Sequence, residues 1–153
     1  MSARKFEALF RGLFERIECV ERIERIEQPA AHLPAKGVRR FSVTLGDVVV
    51  EVSFDPERSP ASALITTTFG ELPQQSQHLQ LAAVRALMDA NYLMMGLGAS
   101  VFCQDPQSGR VLLQYALPLS DKTSVDDLHQ GVLEVARYVR LWRQEHLLAA
   151  PVA

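Results

Sequence analysis

Residues 72–98 carry only two charged side chains, Arg85 and Asp89, yet their apolar spacing predicts a helix over about 74–95. On a 3.6-residue wheel that helix has two apolar stripes on opposite sides. One runs Leu79, Ala83, Ala86, Leu87, Ala90, Leu93 and Met94; the other runs Leu81, Val84, Met88, Tyr92 and Met95. His78, Arg85 and Asp89 mark one polar seam, Gln80 and Asn91 the other. A helix apolar on both sides needs two partner layers. A chain of 153 residues supplies one of them, a sheet, and a second copy of the chain supplies the other. Tyr and Met are enriched at interfaces, so Leu81, Val84, Met88, Tyr92 and Met95 are assigned to the contact between copies. The alanine-containing stripe allows close approach and is assigned to the chain's own sheet. Burying a Leu, Val or Met contributes roughly 1.5–3 kcal/mol, so the outer stripe offers about ten kcal/mol or less per protomer. Two-fold symmetry doubles this, against an association cost of about 4–15 kcal/mol.

The remaining composition excludes more than it assigns. A 48% hydrophobic, 22% charged chain is ordinary for one globular domain, residues 1–153. Arg85, Asp89 and Asn91 break the longest apolar stretch, so no membrane insertion is expected. Glu7 and Arg11 interrupt any signal-peptide core, which makes the cytoplasm the default compartment. A net charge of −2 gives no support to nucleic-acid binding. Cys19 and Cys103 have no metal or redox spacing and read as reduced, packed thiols. His32, His78, His129 and His146 fit no ligand motif, so no metal or cofactor is implied.

Helical spacing of Phe6, Leu9, Phe10, Leu13, Phe14, Ile17 and Val20 predicts a first helix with one strong stripe. Arg-Ile-Glu triplets at 16–18, 22–24 and 25–27 then set Glu18 and Glu21 four residues before Arg22 and Arg25. Residues 18–28 therefore read as a solvated helix extension, with a partner-binding extension through Ile23 and Ile26 as the alternative. Pro29, Pro34 and Gly37 make a linker. Strands follow, alternating at Phe41, Val43 and Leu45, then at Val48, Val50, Val52 and Phe54, with Gly46-Asp47 as a two-residue turn. A third strand covers about 63–69. After the two-striped helix, a hairpin turns at Asp105-Pro106-Gln107-Ser108-Gly109 and returns through Val111, Leu113, Tyr115 and Leu117. Ser124 can cap a last helix whose core stripe is Leu128, Val132, Val135, Val139 and Trp142. Arg137, Arg140 and Arg143 gather toward its C-terminal half, where cations are favoured. The order α-β-β-β-α-β-β-α predicts an α+β domain with a largely antiparallel twisted sheet and a disordered tail over 148–153.

No catalytic motif stands out. Gly96-Leu97-Gly98 follows a helix and precedes a strand, the reverse of a phosphate-binding loop, and Ser100 lacks the following glycine of a nucleophile elbow. Asp126 and Asp127 are adjacent on a helix and point apart. Binding, not catalysis, is the expected function, with a small thiol enzyme using Cys19 or Cys103 as the weaker alternative.

Residues 85–102 resemble the class I type III secretion chaperones of the CesT/Tir-chaperone family. That family has a Leu-Leu-x-Ala-Asn helix end leading through glycines into a strand, and Leu87-Met88-Asp89-Ala90-Asn91 followed by Gly96 and Gly98 is similar to it. The hairpin turn over 105–110, the strand and exit over 112–119 and the last helix ending near Trp142-Arg143 are similar too, so the element order resembles the family over about 3–147. The departure is the segment 18–34, longer and more charged than the usual passage from first helix to first strand. The resemblance implies a cytosolic bacterial homodimer that binds the N-terminal region of one or more secreted effectors in an extended state, uses no ATP itself and delivers its client to the secretion ATPase. Client contacts are expected from Phe6, Phe10 and Phe14 of the first helix and from Val101 and Leu112 of the sheet, with most of the Phe stripe serving as core. A regulatory protein of the same fold, binding a folded partner such as a transcription regulator, is the alternative.

Overall fold

A computed structural model of the chain describes residues 1–17, 23–24, 38–74, 76–94 and 100–145. In chain order the elements are α1 (Ala3–Ile17), β1 (Ile23–Glu24), β2 (Arg39–Leu45), β3 (Val48–Phe54), β4 (Ser62–Glu71), α2 (Gln77–Met94), β5 (Ser100–Gln104), β6 (Arg110–Pro118) and α3 (Val125–Glu145). The six strands form one antiparallel sheet ordered β1-β2-β3-β4-β6-β5. The α+β expectation holds, and all five expected strands are present.

The sixth, β1, corrects the helix-extension reading at residues 23–24. The helix ends at Ile17, and Ile23 and Glu24 pair with Val43 and Ser42 of β2. A β-branched Ile flanked by charges suits a short edge strand, and β2 offers an open row of backbone groups that a helix could not satisfy. The rest of 18–37, including Cys19 and Ile26, lies outside the described residues, as does the tail over 148–153.

Strict alternation decides the sheet's two faces. Val48, Val50, Val52 and Phe54 of β3 point inward with Ala63, Ile65 and Phe69 of β4, while Val49, Glu51 and Leu64 point away. Leu45 and Val48 close the β2–β3 hairpin, and Gly46 takes φ +60°, the left-handed conformation that a turn with glycine first requires. In β4 the register against β6 shifts between Thr68 and Gly70, which makes Phe69 the extra residue of a bulge.

Helices α1 and α3 cover the inner face. Phe10 stacks on Phe41 with centroids 4.1 Å apart, and Phe6 lies 4.6 Å from Phe54. From α3, Leu128, Val132, Val135, Ala136 and Val139 complete the same buried cluster. Ser124 caps α3 through a reciprocal box: its Oγ accepts from the Asp127 amide, and the Asp127 carboxylate accepts from the Ser124 amide and hydroxyl. These bonds hold the Asp127 carboxyl below its usual range.

Two helix glycines differ in what surrounds them. A Cβ on Gly12 would meet Val125 Cγ2 at 2.8 Å, so glycine there permits the close approach of α1 to α3. On Gly131 it would meet Leu117 and Ile65 methyls at 3.5 and 3.7 Å, ordinary contact distances. Gly131→Ala should therefore raise stability by about 0.5–1 kcal/mol in urea denaturation, through helix propensity and lost unfolded-state freedom. Gly12→Ala should lower it.

Candidate functional site

Helix α2 lies against β5 at the end of the sheet, which explains how its residues divide. A helix beside a sheet edge buries a narrower strip than one lying across a sheet face. Ala83 and Leu87 are buried, and Val84, Ala90 and Met94 pack partly against the core. Outward, Leu81 is 50% exposed, Met88 65%, Leu93 72% and Tyr92 77%. Leu81, Met88 and Tyr92 thus form the exposed row assigned to the contact between copies, while Met95 lies outside the described residues. Val84 of that stripe is half-buried and packs partly against the core. Leu79, Ala86 and Leu93 are corrected: assigned to the inner stripe, they face solvent because the buried strip is too narrow to include them.

The C-terminal end of α2 is pinned. Asn91 Nδ2 donates to the Phe102 carbonyl at 3.0 Å, and the Phe102 amide donates to Asn91 Oδ1 at 2.6 Å. The Tyr138 hydroxyl reaches Met94 Sδ at 3.5 Å. Phe102 itself sits among Phe69, Tyr138 and Trp142, a second aromatic cluster under this end of the sheet.

The five residues expected to meet a client separate. Phe6 and Phe10 are fully buried on the inner face, and their expected client contact is corrected to a core role. A Phe stripe at helical spacing is what packs a helix onto a sheet, and re-exposing each ring would forfeit about 2–3 kcal/mol. The Phe14 side chain lies outside the description. Val101 and Leu112 come together on the outer sheet face, Val101 opposite Gln114 and Leu112 opposite Cys103. Val101 is exposed and Leu112 half-buried. Leu64, exposed and opposite Ala116, extends this apolar surface toward β4.

Sequence reasoning missed a clamp at the far end of α3. Arg143 Nε donates to the Phe69 carbonyl at 3.2 Å, Nη2 to the Thr68 carbonyl at 3.0 Å, and Nη1 to the Asp47 carboxylate at 3.1 Å and carbonyl at 3.3 Å. Arg140 adds bonds to the Leu45 carbonyl at 2.5 Å and the Asp47 carboxylate at 3.2 Å. The two arginines tie the β2–β3 turn and the β4 bulge to α3. Partial burial pushes the Asp47 carboxyl up, but the bond from Arg140, its own backbone and both guanidinium charges outweigh this and hold it below its usual range. Nothing in the spacing of Arg140 and Arg143 points to an aspartate more than ninety residues upstream.

The Cys103 thiol, half-buried on the outer face, is pushed up by desolvation and by the Asp105 charge, which makes it a poor nucleophile. Among the described residues no group of three or more His, Cys, Asp or Glu could hold a metal, and no helix is long and apolar enough to cross a membrane.

The model of the Tir chaperone protein (CesT) family matches residues 27–143. The fold is similar to that in "Structure of the HopA1-SchA Chaperone-Effector Complex", at TM-score 0.63 and 17% identity over 94% of this chain and 97% of that one. It is similar also to that in "Crystal Structure of the ExsC-ExsE Complex", at TM-score 0.66 and 18% identity over 97% of this chain and 98% of that one. No curated protein sequence matches the chain.

Proposed function

From the premise that this chain belongs to the Tir chaperone protein (CesT) family, we propose that it is a type III secretion chaperone. It binds the N-terminal region of a cognate effector in an extended state and keeps it competent for secretion. The family match across 27–143 carries this reading. The chaperone works in the bacterial cytoplasm as a homodimer and hands its client to the secretion ATPase.

Support for the homodimer comes from α2. Leu81, Met88 and Tyr92 form an exposed apolar row on one helix, and Arg85 and Asp89 separate it from Leu93. An exposed patch of this kind marks an association surface, and two-fold pairing buries the same residues from both copies. Met88→Glu tests it. The side chain is already largely solvent-exposed in the protomer, so the variant should keep its circular dichroism spectrum. In a dimer it places two unpaired carboxylates in an apolar seam. The mass from light scattering at micromolar concentration should fall by half, and an unchanged dimer mass would exclude this face.

Val101 and Leu112 provide an apolar strip for the client on the outer sheet face, and an extended peptide gains affinity from backbone bonds as well as side-chain contacts. Co-expression with candidate effectors should yield a complex in which an N-terminal effector segment resists proteolysis. A complex formed only with a folded regulator would replace the chaperone reading with a regulatory one.

A further inference from the structure

An exposed strand edge is a template on which another chain can add. In this sheet β5 is one terminal strand. Backbone groups along an antiparallel strand alternate between facing the neighbour and facing away. The Asp105 amide bonds to Arg110 across the hairpin, whereas both backbone groups of Phe102 bond to Asn91 on α2. The N–H and C=O of Ser100, Phe102 and Gln104 therefore face away from β6, with Phe102 at the middle of the row.

At that middle position one side chain does what a neighbouring strand would do. A carboxamide has the same donor and acceptor as a peptide unit, and Asn91 uses both on a single residue, at 3.0 and 2.6 Å. We propose that Asn91 is a positioning residue whose side chain closes the β5 edge to strand addition by a second copy of this chain. Aspartate would lose the donor, leucine both groups, and the longer glutamine would not fit at these distances. The closure is needed because Val101 and Cys103 keep β5 apolar on its outer face, and a short apolar strand with free outward groups invites pairing with its own copy. It is independent of the α2 contact between copies, which Met88→Glu tests separately.

The experiment compares Asn91→Ala and Asn91→Leu with the parent chain. Both replacements favour helix, so α2 keeps its local propensity. Amide exchange at Phe102 should quicken about tenfold with the loss of its acceptor. Mass measured by light scattering should rise with concentration beyond the parent's, with added β signal in circular dichroism. Adding Gln104→Pro removes an outward N–H of β5 and keeps its backbone bonds to β6; Gln104→Ala, which loses the same Nε2 bond to the Gly109 carbonyl but keeps the N–H, is the control. In either Asn91 background Gln104→Pro should return the mass to the parent value. A residue that only glued α2 to the sheet would lower the melting temperature and leave the mass unchanged; that result, or assembly that survives Gln104→Pro, overturns the proposal.

Discussion

Phe10→Ala is expected to lower the stability of the protomer by about 3–5 kcal/mol, a large part of the roughly 5–15 kcal/mol that holds a domain folded. The ring is fully buried, stacked on Phe41 at 4.1 Å and tilted against Phe6 at 4.9 Å. Removing it leaves a cavity between α1 and β2 that the aromatic neighbours can only partly fill. Urea denaturation should show a lower midpoint with little change in slope. The same variant separates two roles for the first helix. If Phe10 is core, the folded fraction captures its client as the parent does. An unchanged midpoint with loss of client capture would return Phe10 to the binding surface.

Arg143→Met should cost about 2–4 kcal/mol, an unusually large effect for a residue near the end of a terminal helix. Its side chain is only 11% exposed, and the guanidinium donates to three carbonyls and a carboxylate. Methionine keeps the apolar stem but leaves Thr68 and Phe69 carbonyls at the bulge without their donor. Arg143→Lys should recover little, because an ammonium cannot span the bulge and the turn at once. The pH dependence supplies a second readout. Asp47 has a folded-state pKa below its ordinary 3.8, so its contribution is present above about pH 4 and is lost as pH falls through the lower folded value. Losing the Arg143 charge brings that pKa back toward its ordinary value, and the acid loss of stability attributable to Asp47 should shrink. An acid limb identical to the parent's would show that Arg143 does not set the Asp47 pKa.

What the sequence makes legible is local. Alternation in β3 and glycine first in the Gly46-Asp47 turn each follow from residues within one element. The misses need information from elsewhere in the fold. Ile23 becomes a strand residue because β2, some twenty positions later, has a free edge for it. Phe6 and Phe10 have the spacing of an apolar helix face, and spacing does not distinguish a face packed on a sheet from one reserved for a client. Leu79 and Leu93 turn to solvent because the width of the buried strip depends on where α2 docks, not on its own periodicity. Arg143 reads as a cation at a helix end until the turn and the bulge arrive beside it.

Placing α1 and α3 on the same side of the sheet divides each strand into two kinds of position under different selection. Inward residues such as Val50 and Ile65 are locked by their neighbours, and a change at any one must be answered by several others. Outward residues such as Glu51, Thr66 and Gln114, in register across β3, β4 and β6, meet one another and solvent and not the core. Substitutions at such positions usually stay within about 0.5 kcal/mol. A lineage can therefore rewrite that surface one residue at a time, following a changing partner, while the fold beneath it stays the same.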